Sequence, residues 1–167
     1  MKCWENLLND NKEILDCINS QLDKERSSGI EITPPENVQL RFMTRDLSAV
    51  KILILGQDPY PQSGVATGRA FEVGTLQSWF DSFRNTSLKN IVRAIYAARN
   101  DKILKFNEIL SEIKSGNFKI LPPNELFAAL EAQGVLFLNT AYTCQVGNPG
   151  SHIKLWEPFT ANLLSFI

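Results

Sequence analysis

The stretch "KILILGQDPYP" at residues 51–61 decides the fold, because an apolar run ends abruptly in turn-forming and polar residues. An apolar run without polar alternation is typical of a strand in a parallel sheet that is covered on both faces. A second run of this kind, "VLFLN", occupies residues 135–139. Helical patterns surround and separate the two runs, so the sequence predicts an α/β fold with a parallel sheet covered by helices on both sides.

The helices are predicted from apolar spacing. Apolar residues between Trp4 and Leu22 recur at helical spacing and predict one amphipathic helix that ends near "SSG" at 27–29. A short second helix is predicted to run through Leu47. Four later segments predict the remaining helices: "TSLKNIVRAIYAAR" (86–99), "DKILKFNEILSEIKSG" (101–116), "PPNELFAALEAQG" (122–134) and "WEPFTANLLSFI" (156–167).

Capping residues set the expected ends of these helices. Thr86 or Ser87 is predicted to cap the third helix, because a hydroxyl accepts from first-turn amides. Gly116 and Gly134 are predicted to end the fourth and fifth helices. The sequence shows no repeat, low-complexity tract or linker-like segment, so residues 1–167 are predicted to form a single domain.

Composition narrows the class of protein. The chain has 167 residues, of which 44% are hydrophobic and 21% charged, as expected for a globular domain with a sizeable core. Its apolar runs are far shorter than the roughly 20 residues that span a bilayer, and its start does not resemble a secretory leader. An intracellular, cytoplasmic protein is expected, or a nuclear one in a eukaryotic or viral host context. Cys3, Cys17 and Cys144 lack paired spacing, so we expect neither a disulfide framework nor a metal site.

Charge is balanced overall and uneven locally. The net charge is −1, yet residues 84–105 contain six basic side chains and one acidic one. Such a run is typical of a solvated helix face, and it is also compatible with a local patch that binds nucleic acid.

Polar residues follow both predicted strands. Gln57 and Asp58 come directly after the first run, and Asn139 ends the second. Because ligands of open α/β sheets gather at the carboxyl ends of strands, these side chains are candidates for one pocket. Each alone is also a common turn residue.

Five motifs together resemble the family 1 uracil-DNA glycosylases, in the family's order and with roughly its spacing, from about Trp4 to the last residue. They are "GQDPYP" (56–61), "TGRAFEV" (67–73), "TSLKNI" (86–91), "GVLFLNTAYT" (134–143) and "SHIKLWEPFT" (151–160). The resemblance implies an enzyme that flips uracil out of DNA and hydrolyses its N-glycosidic bond in base excision repair. It implies no metal, nucleotide or redox cofactor.

The resemblance also implies roles for particular residues. Asp58 would orient or activate the attacking water and stabilise the cationic sugar. The backbone around Gln57 would donate to uracil, and the Asn139 amide would match O4 and N3–H of uracil but not the reversed pattern of cytosine. Phe71 would stack on the flipped base, and Tyr60 would exclude the C5 methyl group of thymine.

Ser87 would bind a DNA phosphate, together with amides at the start of its helix. The partner implied is uracil-containing DNA, single- or double-stranded, and no membrane. An uncovered sheet edge would also offer a surface for self-association or for a protein partner.

Several departures from the family pattern qualify these expectations. Pro61 stands where most relatives have histidine, as in the poxviral branch, and "LQSWFDSFRNTS" (76–87) lacks the usual proline run. No segment corresponds to the family's HPSPLS-type loop with its histidine and leucine. His152 is the one histidine of the chain, lies in a different motif and is interpreted as structural.

The sequence therefore predicts a uracil-DNA glycosylase truncated after the second sheet strand and the following helix. One alternative is a catalytically impaired relative that acts as a DNA-binding or scaffolding subunit, and another is a gene that continues past Ile167. A small-molecule α/β hydrolase is disfavoured, because the chain has no G-x-S-x-G motif.

Overall fold

The computed structural model describes residues 4–167, which form two compact units. The first contains the residues up to Gly74 together with Leu130–Ile167, and the second contains Thr75–Ala129. Cys3, one of the three cysteines for which neither a disulfide nor a metal site is expected, lies outside the described residues. Within residues 4–167, no helix has both the length and the apolar character needed to cross a membrane.

A parallel pair of strands forms the centre of the first unit. Strand β2 spans Ile52–Gly56 and pairs with β3, Val135–Asn139, so that Gly56 lies opposite Asn139. This pairing confirms the predicted parallel sheet of an α/β fold. A second, antiparallel pair joins β1 (Ile32–Thr33) to β4 (Cys144–Gln145). The sequence did not predict this pair, because two residues are too few to show a strand period.

The two parallel strands differ in burial. Leu136, Phe137 and Leu138 of β3 are each 1% exposed, as the apolar run predicts. In β2, however, Ile52 is 55% and Leu55 is 44% exposed. The prediction that both strands are buried is therefore right for β3 and wrong for β2. Within residues 4–167 both strands are paired along one edge only, so the difference lies in what covers their faces. Leu136 and Leu138 of β3 lie within the core cluster, whereas β2 packs against that cluster through Leu53.

Helices of the first unit pack around this sheet. The predicted N-terminal helix is in fact two helices, α1 (Glu5–Asp10) and α2 (Lys12–Ser27), divided at Asn11. The Asn11 side-chain Nδ2 donates to the carbonyl of Leu7 at 2.8 Å, so the side chain bonds to the backbone of the preceding turn. The predicted short helix ending at Leu47 is also wrong, because 36–49 contains three separate 3₁₀ turns.

The last helix, α6, spans Ile153–Phe166 and begins three residues before the predicted start at Trp156. It packs against α2 and brings aromatic side chains into the core. Tyr142 meets Trp156 edge to face, with ring centroids 5.0 Å apart, and Phe159 with centroids 5.8 Å apart. These contacts fix the segment that follows β3 against α6.

The second unit contains α3 (Thr86–Asn100) and α4 (Phe106–Lys114), and α5 (Pro123–Ala132) begins in it. The cap of α3 is Asn85, so the prediction of Thr86 or Ser87 is wrong by one or two residues. Helix α4 begins later than predicted, since the Glu108 side chain accepts from the backbone N–H of Lys105 at 2.7 Å and closes the first turn there.

Candidate active site

The carboxyl ends of β2 and β3 meet, and the chain that follows each strand is bonded to the other. The backbone N–H of Thr140 donates to the carbonyl of Gly56 at 3.0 Å, and that of Ala141 to the carbonyl of Gln57 at 2.9 Å. The Thr140 hydroxyl donates to the same Gln57 carbonyl at 2.8 Å. The structure thus brings together Gln57, Asp58 and Asn139, as the sequence pattern predicted.

Asp58 is half-buried, and its carboxylate is held by two donors. The backbone N–H of Gly150 donates to Oδ2, and the Gln57 side-chain Nε2 donates to Oδ1 at 3.3 Å. A backbone donor and a side-chain donor on different oxygens fix the plane of the carboxylate. Asp58 therefore presents an oriented acceptor at the end of the sheet.

Cys144 lies near this carboxylate, but its thiol is not activated as a nucleophile. Its Sγ donates to the carbonyl of Pro59 at 3.4 Å, and the residue is fully buried. Burial, followed by the negative charge of Asp58, raises the pKa of the Cys144 thiol to about 11. Because the thiolate is the nucleophilic form, Cys144 is inert at neutral pH.

Gly56, Phe71 and Asn139 form a close cluster next to Asp58. A Cβ atom placed on Gly56 would collide with Oδ1 of Asn139, and would come within 3.1 Å of Ala70 Cβ and 3.3 Å of Phe71 Cζ. Asn139 is only 6% exposed. A glycine at 56 therefore allows an amide and an aromatic ring to approach the same point of the sheet.

Phe71 has an unusual backbone. Its φ is +68°, a left-handed conformation that a bulky residue adopts only when its surroundings impose it. The Tyr60 hydroxyl donates to the Phe71 carbonyl at 3.3 Å, which links the two aromatic residues predicted for the site. The structure thus brings Tyr60 and Phe71 together.

A buried ionic cluster flanks Phe71 on both sides in sequence. Arg69 donates to both carboxylate oxygens of Glu72, at 2.9 and 3.1 Å, and to Glu131 at 2.7 Å. Arg45 donates to the same Glu131 oxygen at 2.5 Å. Burial lowers the pKa of Arg69, but its hydrogen bond to Glu131 and the charges of both carboxylates outweigh that effect and raise it. The guanidinium stays charged and connects segment 69–72 to the end of α5.

Curated proteins similar to this chain are named uracil-DNA glycosylases. The uracil-DNA glycosylase of Salmonella arizonae is 33% identical over 168 residues, which cover 98% of this chain and 64% of the relative. That of Buchnera aphidicola subsp. Baizongia pistaciae is 32% identical, covering 98% and 65%. This chain is similar to uracil-DNA glycosylases over nearly its whole length. It spans about two thirds of the length of the curated glycosylases that it matches. No protein-family model matches it.

Solved glycosylase structures share the fold. The structure of mimivirus uracil-DNA glycosylase superimposes with a TM-score of 0.73 over 99% of this chain and 55% of its own, at 22% identity. The UNG structure from Nitratifractor salsuginis gives 0.71 over 99% and 69%, at 25% identity. The α/β glycosylase fold expected from the sequence is therefore confirmed.

Ser87, predicted from the sequence to bind phosphate, lies in the second unit, whereas the other predicted site residues lie in the first. It is exposed in the first turn of α3, and the Asn85 side chain makes no capping hydrogen bond there. Part of the nearby basic run has structural contacts instead. Arg93 Nε donates to the Leu104 carbonyl at 3.1 Å, and the Lys89 ammonium lies 4.9 Å from the ring centroid of Phe83.

His152, the one histidine, is 2% exposed, which agrees with its interpretation as a structural residue. Sequence reasoning missed two groups near predicted site residues: the Gly150 amide that bonds to Asp58, and the ionic cluster whose Arg69 and Glu72 flank Phe71 in sequence. The Arg69 and Glu72 charges around Phe71 were the only local signal. Across the part of the chain that the structure describes, no three histidine, cysteine or acidic side chains are placed to bind a metal ion.

Proposed function

We propose that this chain carries a uracil-DNA glycosylase site that hydrolyses the N-glycosidic bond of flipped-out deoxyuridine. Uracil would be released and an abasic site left, which initiates base excision repair. One observation carries the proposal: the oriented carboxylate of Asp58 lies at the same sheet end as Asn139. The names of the relatives give the reaction. We also propose that residues 1–167 form one glycosylase-like domain.

Asp58 has the central role in the proposed mechanism. Breaking the bond between sugar and base leaves positive charge on the sugar and negative charge on uracil. A carboxylate near the sugar stabilises the cationic centre and accepts a hydrogen bond from the attacking water, which aligns the water for addition. Because Gly150 and Gln57 hold the Asp58 carboxylate, little reorganisation is needed when the charge develops.

Base recognition would use the cluster around Gly56. Asn139 can accept from N3–H and donate to O4 of uracil, a pairing that cytosine cannot match. The ring of Phe71 offers a stacking surface for the extruded base. Tyr60 would occupy the space beside C5 and exclude the methyl group of thymine, with its ring held through the hydrogen bond to the Phe71 carbonyl.

The proposed partner is uracil-containing DNA, single- or double-stranded. Ser87 would bind a backbone phosphate with its hydroxyl and with the first-turn amides of α3, since helix starts favour anions. Such contacts position the strand and do not read its sequence, so base preference would come from the first unit alone.

Measurement of uracil release from a single-stranded oligonucleotide tests the proposal. We expect the chain to release uracil, and Asp58→Asn to lower the rate by about 10²–10³-fold, since the neutral amide cannot stabilise the sugar cation. Asp23→Asn is the matched control, because Asp23 is an exposed residue of α2 whose carboxylate bonds only to nearby helix groups. Absence of release, or equal rates for Asp58→Asn and the control, would show the proposal to be wrong.

A further inference from the structure

A buried chain of hydrogen bonds, not used in the proposed mechanism, begins at Glu25 near the end of α2. His152 Nε2 lies 2.9 Å from Glu25 Oε2, and His152 Nδ1 lies 2.8 Å from the Thr143 hydroxyl. The Trp156 indole Nε1 donates to the same hydroxyl at 2.7 Å. The imidazole is therefore held at both nitrogens and is shielded from solvent.

One tautomer of His152 satisfies all of these groups. With the proton on Nε2, the imidazole donates to the Glu25 carboxylate, and Nδ1 accepts from the Thr143 hydroxyl, which itself accepts from Trp156. In this arrangement both imidazole nitrogens, the Thr143 hydroxyl and the Trp156 indole N–H each have a hydrogen-bond partner. His152 thus acts as a rigid link between α2 and the segment that precedes α6.

Glu25 is the centre from which this segment is held. Burial raises its pKa, but hydrogen bonds from Gln145, Gln21 and His152 outweigh that effect and lower it, so the carboxylate is ionised at neutral pH. Gln145 Nε2 donates to Glu25 Oε2 at 2.9 Å, and the backbone N–H of Gln145 donates to the Ser151 hydroxyl at 2.8 Å. Segment 150–152 is therefore connected to Glu25 by two routes, one through His152 and one through Gln145 and Ser151.

The far end of the segment touches the proposed reacting group. Gly150 lies two residues before His152, and its backbone N–H donates to Oδ2 of Asp58. The last side-chain torsion of an aspartate is broad and has no strong intrinsic preference. The orientation of a half-exposed carboxylate therefore depends on the donors around it.

We propose that Glu25 and His152 are positioning residues: they hold segment 150–152 so that the Gly150 amide sets the orientation of the Asp58 carboxylate. Neither residue contacts the substrate. The consequence for the rate rests on the proposed function, whereas the link from His152 to Gly150 and Asp58 does not. A carboxylate displaced by about 1 Å would align water poorly, and such errors in alignment cost on the order of 10²-fold in rate.

Nuclear magnetic resonance of ¹⁵N-labelled chain tests the link without any activity. The readouts are the chemical shift of the Gly150 amide proton and the rate at which this proton exchanges with solvent. The variant Asp58→Ala gives both values in the absence of the hydrogen bond from Gly150 to Asp58. Two variants of His152 form a matched pair, because glutamine places an amide near the position of Nε2 and asparagine near that of Nδ1. His152→Gln keeps the donor to Glu25, and His152→Asn loses it.

We expect His152→Asn and Glu25→Ala to move the Gly150 shift toward the Asp58→Ala value and to speed its exchange at least about tenfold, as loss of a charge-assisted hydrogen bond implies. His152→Gln should restore most of both values, and the control Asp23→Asn should change neither. A Gly150 amide that is unchanged in His152→Asn and Glu25→Ala would overturn the proposal. Should His152→Asn fail to fold by circular dichroism, Glu25→Gln decides in its place.

Steady-state kinetics give a second readout, because a merely structural role of His152 would not change kcat separately from KM. We expect kcat for uracil release to fall by about 10–100-fold in His152→Asn with KM unchanged, and His152→Gln to recover most of it. A parallel rise in KM with unchanged kcat would contradict positioning of Asp58. If the unsubstituted chain releases no uracil, the proposed function fails, while the Gly150 amide still decides the link.

Discussion

Gly56 and Asn139 lie opposite each other at the ends of β2 and β3, and the amide oxygen of Asn139 occupies the space that a side chain at 56 would need. The ring of Phe71 reaches the same space from the other segment of the site. The pocket proposed for uracil therefore depends on a residue that has no side chain to contribute to it.

Gly56→Ala is expected to displace Asn139 and to reduce uracil release more than it reduces stability. The added methyl group clashes with buried neighbours, which costs about 1–3 kcal/mol in the free energy of unfolding. Urea titration and release of uracil per folded molecule measure the two effects. Gly116→Ala is the control, since Gly116 has open space around it but a φ of +81°, and it should lose about 1 kcal/mol with unchanged release. Equal release by both variants would exclude a role of Gly56 in the pocket.

Tyr60→Ala is expected to permit release of thymine while uracil is still released. The exclusion of thymine is steric in the proposed site, so removing the ring opens the space for the C5 methyl group without removing a contact to uracil. Product analysis from matched oligonucleotides containing thymine or uracil measures this change. Tyr60→Phe is the control, because it keeps the ring. Discrimination that stays the same in Tyr60→Ala would rule out this role of the tyrosine.

Arg69→Met is expected to destabilise the first unit strongly. The substitution removes the buried cation that Glu72 and Glu131 share and leaves them only the more exposed Arg41 and Arg45. Breaking a buried ion pair in this way typically costs about 3–5 kcal/mol. Denaturant unfolding followed by circular dichroism measures the loss. Arg26→Met tests the contrast, since the Arg26–Asp23 pair lies on the surface of α2 and should contribute little. Similar losses in both variants would mean that the buried cluster does not stabilise the fold as proposed.

Cys144 is expected to resist alkylation at pH 8 in the native state, whereas the exposed Cys17 reacts. With a pKa of about 11 for Cys144, only about one thiol in 10³ is ionised at that pH, and the thiolate is the reactive form. Mass spectrometry after treatment with iodoacetamide locates the modified residues, with Cys3 replaced by serine. Denaturant should make Cys144 react like Cys17. Rapid native modification of Cys144 would contradict its burial.

The sequence made the main features of the sheet predictable, because they depend on local patterns. The apolar runs predicted both parallel strands, and the polar residues after each run predicted that Asp58 and Asn139 lie at the same end of the sheet. The exposure of Leu55 was not predictable, since an apolar run does not reveal which of its side chains the rest of the unit covers.

Contacts between distant residues were beyond sequence reasoning. Glu25 and His152 are 127 positions apart, and Arg69 and Glu131 are 62 apart. No periodicity connects such pairs, because their approach results from packing of the whole unit. The break at Asn11 was missed for another reason: the apolar spacing continues through it, and the side-chain bonds of Asn11 to Leu7 and Asn162 leave no trace in that spacing.

Phe71 combines two requirements that oppose each other. Its left-handed backbone would be adopted most easily by glycine, and a left-handed conformation costs a residue with a side chain about 1–2 kcal/mol. Its ring, however, is the part that the proposed site uses. The residue enriched from a library randomised at position 71 should therefore depend on the property that is selected. Selection for resistance to heat or protease would enrich glycine, and selection for uracil excision would enrich phenylalanine.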